Sequence, residues 1–249
     1  MEYKEVIKKL VSLKNPKNVE GMVRFGIRPK TEVLGIPIPV LRKMAKEIQK
    51  SVGRPTSHQL ALKLWDSGIH EARILAGYIA EPEKITEKQF EKWVKSFDSW
   101  DVVDQVCSSV LWKVDFSKKK TTAPVKGAGP SSQSLRAVVF ELAKRKEEFV
   151  KRTAFTLIAC LSVHNKKMSD KEFLKFFPLI KKASIDERNF VKKAVNWALR
   201  QIGKRNKKLN KEALKLAKEI QKIDSKSARW VASNAIHELR SEQVQKRLK

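Results

Sequence analysis

Apolar residues recur at three- and four-residue spacing along almost the whole chain. Val6, Leu10 and Val11 do so near the start, and Phe173, Phe177 and Ile180 do so far downstream. That spacing gathers side chains on one face of a helix, whereas a half-buried strand needs strict alternation, which is nearly absent here. The pattern predicts an all-α chain. It is punctuated at short intervals by Asn15-Pro16, Ile36-Pro37, Pro55-Thr56, Glu81-Pro82, Thr86 followed by Gln89, Ser169 followed by Glu172, and Ser225 before a new apolar run. A hydroxyl or amide side chain can accept from the unpaired N–H groups of a first helical turn, and proline lacks the N–H that a helix interior requires, so these sites read as starts and stops. Roughly a dozen short helices joined by tight turns are expected.

The helical pattern also repeats. EFVKRTAFTLIA from Glu148 resembles NFVKKAVNWALR from Asn189, and RWVASNAIHELR from Arg229 continues the series. Phe149, Phe190 and Trp230 match one another at a period of about 40 residues, the length of a HEAT-like helix pair. HEARILAGYIA from His70 has the same character about two periods earlier. The expected architecture is a single HEAT-like repeat domain over 1–249, a curved α-solenoid with the second helix of each pair on its concave face. Two stretches depart from the pattern. KKKTTAPVKGAGPSS, residues 118–132, cannot bury a face and is expected to be a mobile basic loop. The tail after Ser241, EQVQKRLK, either extends the last helix or frays.

Composition then narrows the function. The 249 residues are 41% hydrophobic, enough for a substantial core, yet 54 Lys and Arg against 27 Asp and Glu give a net charge of +27. A field of that sign attracts polyanions and gains from counterion release, so nucleic acid is the first partner to consider. No apolar run is long enough to span a membrane, and no basic helix has the wholly apolar opposite face that interfacial binding needs. The start, MEYKEVIKKLVS, is amphipathic with two glutamates and does not read as a secretory signal, so an intracellular location is expected, cytoplasmic or, in a eukaryote, nuclear. Cys107 and Cys160 fall inside apolar helical patterns and read as buried small hydrophobes. The four histidines, His58, His70, His164 and His237, lack ligand spacing, so neither a metal nor another cofactor is expected.

Against this positive background, SWDVVDQV from Ser99 places two aspartates beside a tryptophan. On a helix, Trp100, Val103, Asp104 and Cys107 share a face, while Asp101 points elsewhere. Asp98 can cap such a helix, and Asp101 in its first turn favours the positive helix end, a structural role. Asp104 has two readings. It can pair with a cation of a neighbouring repeat, or it can stabilise positive charge that develops on a sugar during glycosidic cleavage. Trp197 and Arg200 are i, i+3 neighbours, and Arg152 lies on the equivalent helix one repeat earlier; they can form an aromatic and phosphate-binding patch, or pack between repeats and face solvent. Lys151, Lys192, Lys193, Lys204 and Arg205 add charge with little specificity.

LGIPIPVLRKMAKEI, LALKLWDSGIHEARILAGYI, FDSWDVVDQV, EEFVKRTAF and DERNFVKKAVNWALRQIGK, in this order, closely resemble the DNA alkylation repair family of HEAT-like DNA glycosylases. The resemblance spans nearly the whole chain, with 118–132 as the main departure. It implies a monofunctional, metal-independent glycosylase, monomeric, acting on double-stranded DNA that contains purines alkylated on a ring nitrogen. Such enzymes need not flip the base into a pocket. Carried over by motif, Asp104 resembles the catalytic carboxylate, Trp100 and Trp197 the aromatics at the lesioned nucleotide, and Arg152 and Arg200 the phosphate clamps. GMVRFGI resembles the segment that supplies a further aromatic, here Phe25, without the hydroxyl that some relatives carry as tyrosine. Two other functions stay open: a non-catalytic HEAT scaffold for damaged or branched DNA, and an adaptor for RNA or an acidic protein.

Overall fold

The computed structural model describes residues 1–116 and 134–248, apart from the side chains of 52–55. The segment 118–132, expected to be a basic loop, lies outside the described residues. The chain is all-α and falls into two compact units, Met1–Ser134 and Leu135–Lys249. Among the described residues there is no strand, only an isolated bridge between Glu32 and Ile69.

The first unit holds α1 (Tyr3–Ser12), α2 (Pro16–Arg24), α3 (Ile38–Trp65), α4 (His70–Ile79), α5 (Glu87–Ser96) and α6 (Trp100–Ser109). Short 3-10 turns occur at Pro82–Lys84 and Leu111–Lys113. The helix starts behave largely as their side chains dictate. Asn15 Oδ1 accepts from the Asn18 amide at 3.1 Å, with Pro16 as the first helical residue, and Thr86 Oγ1 accepts from the Gln89 amide at 3.1 Å. The break expected at Pro55-Thr56 is absent, because α3 runs straight through it. Leu41, Met44 and Ile48 bury one half of this helix, and Leu60, Leu64 and Trp65 bury the other, so packing on both sides offsets the helix-breaking tendency of a proline. Trp65 stacks on Trp93 of α5, ring centroids 4.1 Å apart, and its indole N–H donates to Ser96 Oγ.

The second unit holds α7 (Leu135–Lys144), α8 (Glu148–His164), α9 (Asp170–Leu174), α10 (Phe177–Ala183), α11 (Asn189–Gly203), α12 (Lys207–Gln221), α13 (Lys226–Arg240) and α14 (Glu242–Gln245). Here the sequence period reappears as lateral bonds between equivalent points of successive repeats. Phe149 stacks on Phe190 with centroids 5.6 Å apart, Asn196 Nδ2 donates to the Val231 carbonyl at 2.9 Å, and Ser227 Oγ donates to the Asp186 carbonyl at 2.7 Å. Each of the two hydrogen bonds satisfies backbone and side-chain groups that stacking would otherwise bury unpaired. Ser225 caps α13 through the Ala228 amide, and Ser169 precedes α9 without a side-chain cap bond. Beyond Ser241 the tail turns into the separate α14, which buries Val244, and Leu248 after it is buried too. Cys107 and Cys160 are buried, as their apolar surroundings in the sequence imply.

Candidate nucleic-acid interface

The first group of candidate residues gathers at the start of α6. Trp100 is half-buried and its Nε1–H donates to the Phe25 carbonyl at 3.1 Å, which brings Trp100 and Phe25 together. Phe25 ends α2 with its ring outward, 73% exposed, and the chain reverses at Gly26, whose φ of +77° suits glycine. Asp104, also half-buried, follows Trp100 by one helical turn on the same face. The helix ends at Ser109, before the turn at Leu111–Lys113.

Asp98, expected to cap α6, does not. Its carboxylate accepts from the Lys30 amide at 2.9 Å and from Arg73 Nη1 at 3.3 Å, while Ser99 takes the cap position. Asp101 lies in the first turn of α6 but is buried, with a partner that spacing could not reveal: His70 Nε2 donates to Asp101 Oδ2 at 2.7 Å. Ser99 Oγ donates to the other carboxylate oxygen of Asp101. Burial works against charge on His70, yet the hydrogen bond to Asp101 and the fields of Asp101, Glu71 and Asp98 outweigh it and raise the imidazole pKa. For Asp101 burial is likewise the largest influence and is again outweighed, by His70 and Ser99, so the carboxyl is held below its usual range. Both directions favour the charged forms of the pair, whose hydrogen bond ties the helix carrying Trp100 and Asp104 to α4.

Glu71, next to His70, anchors the loop before α3. Its carboxylate accepts from the amides of Leu34, Gly35 and Ile36 at 2.9, 2.6 and 3.3 Å. Gly35 has φ +75°, and a Cβ there would lie 2.4 Å from the Asn15 carbonyl, so no other residue fits without shifting α2. The result is an open cleft of about 720 Å³ that Phe25, Trp100, His70, Glu71, Asp101 and Gln105 help to line.

The second group lies on α11. Trp197 and Arg200 are half-buried neighbours, and Gln201 and Lys204 extend the same face at i+4 and i+7 from Trp197. Arg200 Nη1 pairs with Glu238 Oε2 of α13, and Lys204 Nζ pairs with Glu238 Oε1 at 2.7 Å. With its amide turned so that the oxygen faces the donors, Gln201 accepts from Trp197 Nε1 at 2.9 Å and from Lys204 Nζ at 3.2 Å. Burial raises the Glu238 pKa, but Lys204 and Arg200 overcome it and lower the value, so the carboxylate is anionic. Arg152 is not part of an exposed patch. It is only 4% exposed on α8, and its Nη1 donates to the Phe190 carbonyl at 2.6 Å, which ties two repeats together. Of the accessory cations, Lys151 pairs with Asp186 at 3.3 Å, Lys192 lies 5.4 Å over the half-exposed Trp230 ring, and Arg205 donates to the Ser162 carbonyl.

The roles of His70, Glu71 and Glu238 were not legible in the residue pattern, because they depend on partners in other segments; Gln201, whose partners Trp197 and Lys204 are on its own helix, was open to a reading at helical spacing. Among the described residues no three His, Cys, Asp or Glu side chains group as a metal site, and no helix is long and apolar enough to cross a membrane.

A solved structure described as one of "a new family of proteins related to the HEAT-like repeat DNA glycosylases with affinity for branched DNA structures" superimposes with a TM-score of 0.75. It shares 19% identity, over 100% of this chain and 96% of the other. That likeness gives the fold, an array of HEAT-like helical repeats. A designed armadillo repeat protein aligns over 80% of this chain and 90% of its own at 16% identity, with a TM-score of 0.38. No curated protein sequence matches. The family model for "DNA alkylation repair enzyme" matches residues 6–239, which takes in α2 to α12 whole and all but the first three residues of α1 and the last of α13. With that span matched and the repeat architecture in place, the chain belongs to the DNA alkylation repair enzyme family.

Proposed function

We propose that the protein is a DNA glycosylase that hydrolyses the N-glycosidic bond of purines alkylated on a ring nitrogen. The observation that carries this reading is the pairing of a half-buried carboxylate, Asp104, with a pinned indole, Trp100, one turn earlier on one helix of a chain this basic. A carboxylate facing a polyanion brings repulsion and no binding gain. It is useful where positive charge develops, as on the deoxyribose when the C1′–N bond breaks. The bond's electron pair leaves with the base and neutralises its positive charge, water adds to C1′ and releases a proton, and the products are the free base and an abasic site. Asp104 stabilises the sugar cation more than the uncharged sugar of the ground state, where the positive charge sits on the base. Trp100 and Phe25 present aromatic surface to the nucleotide, Trp197 and Arg200 contact sugar and phosphate, and Arg152 contributes charge from within α8.

The test is base release from N-methylpurine DNA by wild type and Asp104→Asn. Asparagine is nearly isosteric, so fold and binding are expected to persist, while excision falls by roughly 10²-fold or more, the size of one preorganised electrostatic group. A second reading is a non-catalytic scaffold for branched DNA, motivated by the affinity stated for the structural relative. It predicts no base release by wild type and tighter binding to a four-way junction than to linear duplex.

A further inference from the structure

The anion-binding groups on α11 are already occupied. Arg200 and Lys204 both direct their charge to Glu238, one to each carboxylate oxygen, much as two cations would grip the two non-bridging oxygens of a phosphodiester. The three side chains are each about a quarter exposed, at 26, 29 and 27%, so the contact is open to solvent and to a competing polyanion. The arrangement differs from Asp186, which joins Lys151 and Arg188 at 12% exposure and serves as a cross-link. Gln201 extends the contact to Trp197, since its oxygen receives both the indole N–H and Lys204. One carboxylate against two cations leaves a residual positive charge, enough to draw a phosphate in without leaving the site open to every phosphate.

We propose that Glu238 holds the phosphate site of Arg200 and Lys204 in the free protein, that a DNA phosphate must displace it, and that Glu238 thereby sets the margin between nonspecific and productive binding. The inference rests on the reading that DNA is bound on this face, though not on excision. Displacement exchanges one anion for another at the same two cations. A phosphate presented alone gains little, whereas one held in register by contacts elsewhere on the duplex gains the full pair.

The experiment measures binding of the full chain to unmodified duplex over a salt series. Glu238→Gln is expected to tighten binding on the order of tenfold at low salt and to steepen the log-log salt slope by up to about 0.9, one phosphate's worth. The control is Glu219→Gln, which raises net charge equally but releases only Lys181, and its effect is expected to be much smaller. In an Arg200→Gln, Lys204→Gln background, Glu238→Gln is expected to gain nothing. Equal responses of Glu238→Gln and Glu219→Gln, or weaker binding by Glu238→Gln, would overturn the proposal while leaving DNA as partner. No duplex binding by wild type would overturn both. Should Glu238→Gln fail to fold, Glu238→Asp retains the charge on a shorter arm and is expected to give part of the gain; failure of both to fold makes Glu238 a structural member and ends the proposal.

Discussion

Asp101 and Asp104 stand three residues apart in one helix, and their surroundings give them different work. Asp104 is half-buried on the Trp100 face, whereas Asp101 is enclosed against His70, which is 0% exposed. A helix-dipole role for Asp101 alone implies a loss of about 1 kcal/mol on conversion to asparagine. The His70 pair implies more, since removing one partner of a buried ion pair leaves the other uncompensated, at about 3 kcal/mol. The pH dependence follows from the directions of the shifts. His70 is raised, so its contribution is fully present below the ordinary histidine value and is lost as pH rises through the raised one. Asp101 is lowered, so its contribution is fully present above the ordinary carboxylate value and is lost as pH falls through the lowered one. The two overlap between roughly pH 4 and pH 6.5. Urea unfolding of Asp101→Asn is therefore expected to show its greatest deficit in that window and a flatter pH profile than wild type, with excision per folded molecule retained. Identical profiles would mean that the pair is not ionic.

At the scale of elements, what could be read from the chain was what depends on neighbours along it. Asn15, Thr86 and Ser225 start helices because their side chains reach amides three residues on, and the repeat of Phe149, Phe190 and Trp230 marks equivalent helices. Trp100 and Asp104 were legible as a pair for the same reason, since helical spacing alone aligns them. The Pro55 signal misled because burial on both sides of α3 outweighs a local preference. His70 and Glu238 were opaque, because their partners lie 31 to 38 residues away on other helices, and Asp98 read as a cap because its partners, Arg73 and Lys30, lie 25 and 68 residues away. Two glycines separate local from tertiary constraint by experiment. In α4 a Cβ on Gly77 would lie 2.9 Å from Val106 Cγ2 and 3.3 Å from Val106 Cα, so α4 and α6 touch through the missing side chain. Gly21 in α2 has nothing within 4 Å of the same position. Gly77→Ala is expected to destabilise by about 1–3 kcal/mol and, by pushing on α6, to lower excision as well. Gly21→Ala is expected to stabilise by about 0.5–1 kcal/mol through helix propensity. Thermal unfolding of the two variants checks the opposite signs, and matching signs would refute the close approach of α4 to α6.

For the whole molecule the governing quantity is the charge of +27, which acts over a range no single contact has. Most of it is spread over the exposed faces of many helices, while surface ion pairs, such as Lys181 with Glu219 and Arg136 with Glu172, each consume one cation and one anion and leave the net charge unchanged. Such a field draws in DNA of any sequence and lets go of it as salt rises, because the binding free energy comes from released counterions. Chemistry at the glycosidic bond is different, because the proposed contribution of Asp104 is a short-range interaction in a half-buried site, where ions screen poorly. Binding and excision should therefore part company in a salt series. The association constant for duplex is expected to fall with a log-log slope of about −0.9 for each phosphate neutralised, a loss of orders of magnitude between low and physiological salt if several phosphates are held. Single-turnover excision at saturating protein is expected to change little over the same range. Filter binding and base-release assays on the same N-methylpurine duplex measure the two quantities. A salt-insensitive affinity would remove the polyanion field as the basis of binding, and an excision rate falling in parallel with affinity at saturation would mean that the sugar cation is stabilised by exposed charge and not by Asp104.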